Sequence, residues 1–341
     1  MKIVVTGGTG YIGSHTVVEL QQSGYEVVII DNLINSDIRI LDGIESITGV
    51  RPGFEEIDLT STEMVRDFFI RHSDVDGIIH FAALKAVGES VEKPLEYYFN
   101  NLLSLMNIVK CMHEFKVPYF VFSSSCSVYG EAKELPVTET TPRQEAESPY
   151  GNTKVICEDI LRDTMRVNPG MYTIALRYFN PIGAHPSAYI GERPKEAPKN
   201  LVSCLLRVAT GIEEELTIFG HDYDTPDGSP VRDYLDIVDL AKAHVVAIKR
   251  LIEKKGRSNY ENFNIGTGTG LTVLEVIGAF ERAVGIKINY RLSGRRPGDV
   301  EKIWADTTLA NIELGWHTEI SIEESLTNAW RWQQKLCSDV F

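Results

Sequence analysis

No stretch of this 341-residue sequence approaches the ~20 consecutive apolar residues of a membrane span, so no transmembrane segment is expected. A signal peptide is not expected either, because Met1-Lys2 leads into only Ile3, Val4 and Val5 before a glycine turn. Cysteine is sparse. Cys111, Cys126, Cys157, Cys204 and Cys337 are odd in number, scattered and never spaced CxxC. That pattern gives no zinc site and suits reduced thiols in a cytoplasmic protein, and no metal is expected. Positive charge is in deficit: 34 Lys+Arg against 48 Asp+Glu leave a formal net charge of −14. A chain of that sign is a poor partner for nucleic acid or an anionic membrane. Any anionic ligand must then be held by local arginines, lysines and helix ends. Internal repeats and low-complexity tracts are also missing. What is present is a globular composition, 43% hydrophobic, with enough chain for two lobes with sizeable cores.

The informative stretch is KIVVTGGTGYIG at Lys2–Gly13. Ile3, Val4 and Val5 read as a buried strand, and the glycines follow at once. Gly7, Gly10 and Gly13 fit GxxGxxG, and Gly8, Gly10 and Gly13 fit GxGxxG. The next residues carry apolar positions Ile12, Thr16, Val17 and Leu20 at helical spacing, until Gly24 stops the helix. Glu26–Ile30 is a second strand, and Asp31 closes it 18 residues beyond Gly13. A lone glycine motif is weak. Inside a complete βαβ unit it predicts a dinucleotide whose pyrophosphate meets a helix N-terminus. A carboxylate at Asp31 suits the ribose hydroxyls of NAD and repels the 2′-phosphate of NADP.

Further strands are predicted at Phe54–Ile57, Gly77–Phe81, Tyr119–Phe122 and Tyr172–Arg177, alternating with helices at Thr62–His72, Leu95–His113 and Tyr150–Arg166. Strand ends place Asp58 near an adenine, and Ala82 and Ala83 where a ligand can lie close to the backbone. Lys85 is available to neutralise phosphate, although a solvated loop lysine fits it equally well. Ser123-Ser124-Ser125 lies at the carboxyl end of another strand, the ligand edge of an open α/β sheet. Tyr150 and Lys154 are spaced i,i+4 and share a helix face. YxxxK alone means little; after a dinucleotide motif and 25 residues beyond a strand-end serine it predicts a catalytic group. The second half is read as a smaller mixed α/β lobe. Its strands are expected at Leu216–Phe219, Arg232–Tyr234, Phe263–Ile265 and Ile288–Arg291. Its helices are expected at Asn200–Thr210 and Ile237–Leu251, from a Thr272/Glu275 capping box, from Asp306 to Gly315, and after Ser321.

These residues resemble the extended short-chain dehydrogenase/reductase family, in its nucleotide-sugar epimerase branch, over nearly the whole chain. VTGGTGYIGSH at Val5–His15, LKAVGESV at Leu84–Val91, SPYGNTK at Ser148–Lys154 and RYFNPIGAHPS at Arg177–Ser187 carry the likeness. The resemblance implies a Rossmann-type doubly wound parallel sheet over residues 1–179. A nucleotide-sugar-binding domain would cover 180–341, with segments such as 231–246 and 262–266 returning to the first domain. It implies that Ser125, Tyr150 and Lys154 are catalytic, with Tyr150 the base, Lys154 lowering its pKa and Ser125 hydrogen-bonded to the sugar O4. NAD contacts are implied at Gly7, Gly10, Tyr11, Ile12, Gly13, Asp31, Asn32, Leu33, Asn35, Ser36, Asp58, Leu59, Phe81, Ala82, Ala83, Lys85, Asn100 and Phe179, together with the catalytic group. Substrate contacts are implied at Lys85, Ser125, Tyr150, Asn180, Asn200, Leu201, Thr217, Phe219, Arg232, Arg296, Asp299 and Ile303. The implied activity interconverts UDP-galactose and UDP-glucose by transient oxidation at C4 with tightly bound NAD. A homodimer through Leu95–His113 and Thr153–Arg166 is also implied. Ile303 stands where strict members carry tyrosine, so an enzyme acting on UDP-N-acetylglucosamine, alone or in addition, stays open. A 4,6-dehydratase fits poorly, because Cys126 and Ser127 follow Ser125 where that reaction needs an extra acid and base. A non-catalytic NAD sensor is disfavoured by the intact Ser125, Tyr150 and Lys154.

Overall fold

The computed structural model describes residues 1–195, 198–296 and 298–338; Pro297, in the basic loop after Arg295, lies outside them. Strands and helices alternate from the start. In chain order they are β1 (Lys2–Thr6), α1 (Tyr11–Gln22), β2 (Glu26–Asp31), α2 (Ile40–Thr48), β3 (Gly53–Glu56), α3 (Thr62–Arg71) and β4 (Gly77–His80). Then come α4 (Val87–Glu92), α5 (Pro94–Phe115), β5 (Tyr119–Ser125), α6 (Pro149–Val167) and β6 (Tyr172–Tyr178). The second half contributes β7 (Asn180–Ile182), α7 (Leu201–Ala209), β8 (Leu216–Phe219), β9 (Val231–Arg232), β10 (Tyr234–Asp236), α8 (Ile237–Ile252) and β11 (Tyr260–Ile265). It ends with β12 (Leu271–Thr272), α9 (Val273–Val284), β13 (Tyr290–Ser293), β14 (Lys302–Ile303) and α10 (Ile322–Ser338).

Seven strands form one parallel sheet in the order β11-β6-β5-β4-β1-β2-β3. Its central strands are continuous apolar runs because helices cover both faces. Ile3 and Val5 point into the core under α1 and α8, while Val4 points into the core under α3, α5 and α6. The order of connection reverses between β1 and β4, and a crevice opens there at the strands' carboxyl ends. This is the doubly wound fold expected. Its seventh strand, Tyr260–Ile265, starts two residues before the segment 262–266, and α8 runs to Ile252, beyond 246. The remaining strands make small sheets of two, three and two strands around a separate core of α7, α9 and α10.

Local departures from expectation have local causes. The sequence reading passed over α2: no side chain caps its start at Arg39, and only buried Ile40, Leu41 and Ile44 mark its inner face. The strand expected across Arg232–Tyr234 is broken at Asp233, whose buried carboxylate accepts hydrogen bonds from Thr267, Gly268 and Ala305. Backbone pairing at that point gives way to a side-chain hub. The strand expected at Ile288–Arg291 lies at Tyr290–Ser293, in parallel register with Leu216–Phe219. The helix expected from Asp306 to Gly315 ends in a wide turn, Ala310–Leu314, which Gly315 stops at φ 64°. The Thr272/Glu275 capping box is formed. Among the described residues, no helix is long and apolar enough to cross a membrane.

Candidate active site

The exit of β1 makes the floor of the crevice. Gly7 turns the chain at φ 68°, and Gly10 N–H donates to its carbonyl at 3.1 Å. Gly13 packs α1 against this turn so closely that a Cβ there would lie 2.2 Å from Gly7 O. Gly10 caps α1 with no side-chain acceptor, so the helix N-terminus presents its N–H groups and dipole to the crevice. Asp31, at the end of β2, accepts from Thr9 N at 3.2 Å, Leu33 N at 2.9 Å and Ser36 Oγ at 3.0 Å. Its carboxylate therefore both ties the loop 31–36 and stands beside the glycine turn. A close backbone cradle, an uncapped helix start and a carboxylate on the neighbouring strand fit a dinucleotide pyrophosphate and ribose. Asp58 accepts from Thr60 N and Oγ1, fixing the loop that carries Leu59 after β3. On the other side, Phe81 N donates to Thr6 O, and a Cβ on Gly7 would lie 2.8 Å from Ala82 N. The exits of β1 and β4 thus meet at Gly7 and Ala82. Tyr11 donates its hydroxyl to Gly183 O at 2.7 Å, tying the start of α1 to the second half.

The serine strand and the Tyr-Lys helix meet one strand further on. Ser125 ends β5 and accepts from Ser127 N at 3.2 Å, while Ser148 caps α6 through Gly151 N. Those two caps fix where Tyr150 and Lys154 leave α6. Lys154 is buried: its Nζ donates to Ser123 O at 2.6 Å, and lies 4.9 Å from the Phe122 ring centroid and 5.9 Å from that of Tyr150. Burial pushes the Lys154 ammonium down to about 8, opposed by the neighbouring Cys157 and Glu158. Burial also holds the Tyr150 phenol well above its ordinary value, with Tyr178 adding to the shift and the Ser125 hydroxyl opposing it. Tyr178 bonds Ser123 Oγ through its hydroxyl. Sequence reasoning missed this tyrosine, which stands at a strand end beside Phe179, as it missed Asn101 beside Asn100. Asn101 is the buried one. It accepts from Leu84 N at 2.8 Å and donates to Leu84 O and Thr153 Oγ1, binding the loop that carries Ala83 and Lys85 to α6.

Across the crevice, Asn200 caps α7 through Ser203 N, and Leu201 is its first residue. Asn200 also donates to Glu192, which accepts from Ser203 Oγ at 2.6 Å and lies 3.3 Å from Lys85 Nζ. Nothing in the sequence had singled out Glu192. Thr217 and Phe219 lie on β8, and the Arg296 guanidinium sits 5.4 Å from the Phe219 ring centroid. Arg296 is paired with Asp299 through two bonds of 3.0 Å. Arg232 donates to three backbone carbonyls, Val231 at 2.8 Å, Glu301 at 3.3 Å and Val300 at 2.7 Å. Asn180 pairs with Tyr234 in β7 and β10. Ile303 pairs with Arg232 in parallel register and is buried with Val128, Tyr129, Val137, Phe179 and Ala305 where the two halves meet. A cavity of about 340 Å³ is lined by Tyr11, Asn200, Glu192, Arg207 and Trp332 among others, so it meets two of the expected contact residues but not Ser125, Tyr150 or Lys154. Among the described residues, no cluster of three or more His, Cys, Asp or Glu could hold a metal.

With a parallel sheet, a glycine turn at the exit of β1, and Ser125 at the end of β5 facing Tyr150 and Lys154 of α6, the chain belongs to the NAD dependent epimerase/dehydratase family, whose pattern matches residues 3–266. Its likeness to individual members is closer still. It is 47% identical over 333 residues to the UDP-glucose 4-epimerase of Bacillus subtilis (strain 168), covering 98% of this chain and 97% of that one. The crystal structure of UDP-glucose-4-epimerase from Stenotrophomonas maltophila, with bound NAD and formylated UDP-arabinopyranose, superposes with a TM-score of 0.95 at 41% identity, covering 99% of both chains. That from Bifidobacterium longum, in complex with NAD+ and UDP, gives 0.94 at 44% identity over 98% of both.

Proposed function

We propose that this chain binds NAD and interconverts UDP-galactose and UDP-glucose by inverting C4 of the hexose. The observation that carries the reading is the meeting of Ser125, Tyr150 and Lys154 on the sheet edge that also carries the glycine turn, in a chain so similar to UDP-glucose 4-epimerases from end to end. NAD would be held by the turn Gly7–Gly13, Asp31 with the loop Asn32–Ser36, Asp58, Lys85 and Phe179. When bound, it supplies the acceptor and donor of the C4 hydride together with the positive charge of its oxidised ring.

The chain's residues handle the proton. Tyr150 is half-buried and Lys154 buried, with Lys154 Nζ 5.9 Å from the Tyr150 ring centroid, so the charge on each bears on the other. The reactive form is phenolate beside ammonium: Tyr150 takes the proton of the O4 hydroxyl and returns it when the opposite epimer forms. Positive charge at Lys154 favours that form over phenol beside amine. Ser125 hydrogen-bonds O4 and keeps it in line with the phenol. Arg232 and Arg296 hold the diphosphate by charge-assisted bonds, and Phe219 and Leu201 flank the nucleotide base. The 4-keto sugar turns over between Ile303 and the catalytic group, so side-chain bulk at Ile303 sets tolerance for a 2-N-acetyl substituent. Incubating the protein with UDP-galactose and following the anomeric protons by NMR tests the reading. UDP-glucose should accumulate to equilibrium without added NAD; an inert UDP-galactose sample would refute it.

The chain works as a cytoplasmic homodimer in this reading. On α5, Leu95, Phe99 and Met106 are exposed on one stripe, and a groove lined by Met106, Val109, His113 and Ile160 runs between α5 and α6. Two such helices per subunit make a four-helix interface about a two-fold axis.

A further inference from the structure

One turn beyond Lys154 on α6, on the same face, the side chain of Glu158 is fully buried. It accepts from Ser124 Oγ at 2.6 Å, from Arg177 Nε at 2.9 Å and Arg177 Nη2 at 2.6 Å, and from Arg143 Nη2. Burial alone would push this carboxyl up; the Arg177 guanidinium, the Ser124 hydroxyl and Arg143 hold it below the usual carboxylate range. Arg177 continues to Tyr129 Oη at 3.0 Å, and Tyr129 to Asn264 Oδ1 at 2.6 Å. Asn264 donates to Val137 O at 2.9 Å, and Val137 N to Trp304 O, next to Ile303. A buried ion pair is weak evidence for stability by itself, since apolar replacements are often as stable. This one, however, touches the catalytic strand on one side and the catalytic helix on the other.

We propose that Glu158 is a positioning residue for catalysis, which locks the Ser123–Ser125 strand end to α6 and keeps the shared proton on Lys154 rather than on Tyr150. The proposal rests on the Tyr150/Lys154 reading above. The geometry divides the work. The Ser124 bond fixes the residue between Ser123, whose carbonyl receives Lys154, and Ser125. The charge acts along the helix, from four residues beyond Lys154 and eight beyond Tyr150, so it favours ammonium more than it disfavours phenolate. Other groups facing Lys154 do not supply this charge. His80 on β4 is kept neutral by burial, Cys157 is a thiol pushed up to about 12 by burial, and Tyr178 on β6 is a buried phenol. Around Glu158 stand Arg177 on β6, Arg143 from the loop before α6, Tyr260 on β11, and Asp159, which pairs with Arg143 and Arg162. Without the carboxylate, Arg177 would lose its ion pair with Glu158 while Arg143 kept Asp159, leaving more positive charge one turn from the lysine.

The signs follow from the charges. In Glu158→Gln the Tyr150–Lys154 pair loses its proton more easily, and loses it from Lys154. The acid limb of kcat against pH should move about one unit lower, and plateau kcat should fall about tenfold, with KM little changed. Glu158→Asp should recover part of both. Arg143→Gln removes a facing positive charge and should move the limb the other way. Ser124→Ala should lower kcat and leave the limb in place. The measurements use the purified holoenzyme, with thermal unfolding recorded for each variant. A merely structural role predicts lower unfolding temperatures and unmoved limbs; that result overturns the proposal, as does an acid limb that moves higher in Glu158→Gln. If Glu158→Gln does not fold, Arg143→Gln decides alone, and an unmoved limb there overturns it. Tyr150→Phe is run alongside: full activity in that variant sinks the underlying catalytic reading, whereas an inactive Tyr150→Phe with unmoved limbs elsewhere sinks only the role of Glu158.

Discussion

Replacing Gly13 by alanine isolates the packing of α1 on the glycine turn. The added Cβ would lie 2.2 Å from Gly7 O, 2.8 Å from Gly8 Cα and 3.0 Å from Gly7 C. Those are backbone atoms, so no side chain can swing aside. Ordinary contact begins near 3.4 Å, and the N-terminal turn of α1 must retreat by about 1.2 Å from the loop. Overpacking of this kind costs roughly 1–3 kcal/mol of stability. The same retreat lengthens every N–H contact offered to a bound pyrophosphate. Losing one hydrogen bond to a charged group costs about 1.5–3 kcal/mol, or roughly ten- to a hundredfold in affinity. Gly24→Ala is the control: it has φ 83° but open space around the added methyl, so it strains the backbone without touching the cradle. The assay is the NAD released per subunit on denaturation, with thermal unfolding of both variants. Gly13→Ala should purify with little NAD and Gly24→Ala with the normal amount. Normal NAD content in Gly13→Ala, with unchanged unfolding, would refute the assignment of the cradle.

Tyr150→Phe should lose most turnover while keeping its NAD and its unfolding temperature, because only a hydroxyl is removed. Lys154→Met should cut kcat and move the pH optimum upward, since the phenolate loses its neighbouring positive charge; a rate profile from pH 6 to 10 reads this. Ile303→Ala should raise the ratio of UDP-N-acetylglucosamine to UDP-glucose turnover and Ile303→Tyr should lower it, as comparison of kcat/KM shows. Ile303 is buried, so the alanine variant should also lose about 2–5 kcal/mol of stability. If the exposed stripe on α5 is a subunit interface as proposed, the parent chain should be a dimer and Phe99→Asp a monomer, which light scattering at micromolar concentration detects.

The fold was legible wherever one local rule dominated. β1, α1 and β2 were readable because a β-branched run, three glycines and a helical repeat fall in succession, and parallel strands buried on both faces read as unbroken apolar runs. Short elements were not. β9, β12 and β14 are two residues each, made by pairing between distant segments, and carry no periodicity of their own. The glycine turn, the strand-end serine and the Tyr-Lys pair came from local spacing, and most second-half contacts came only from the family resemblance. The buried polar partners escaped both routes. Glu158 looks like any helical glutamate until β5 and β6 bring Ser124 and Arg177 to it. Asp233 looks like a strand residue until the loop after β11 folds onto it. Such roles depend on residues 19 to 34 positions away, and no window of sequence contains both partners.

The edge strand β11 and the covering helix α8 come from residues 237–265, after the chain has already left the main sheet for β7, α7 and β8. During synthesis the first six strands emerge with β6 unpaired on its outer side and with the apolar faces of Val17, Ile29 and Ile79 waiting for Leu240, Ala243 and Ile248. The main sheet therefore stays one strand and one covering helix short until the chain reaches residue 265. A fragment cut at residue 179 would carry an open edge on β6 and a bare hydrophobic face, the combination that drives strand-to-strand aggregation. The main sheet is thereby closed only after β7, α7 and β8 have been made, so the first lobe is finished from the second half of the chain.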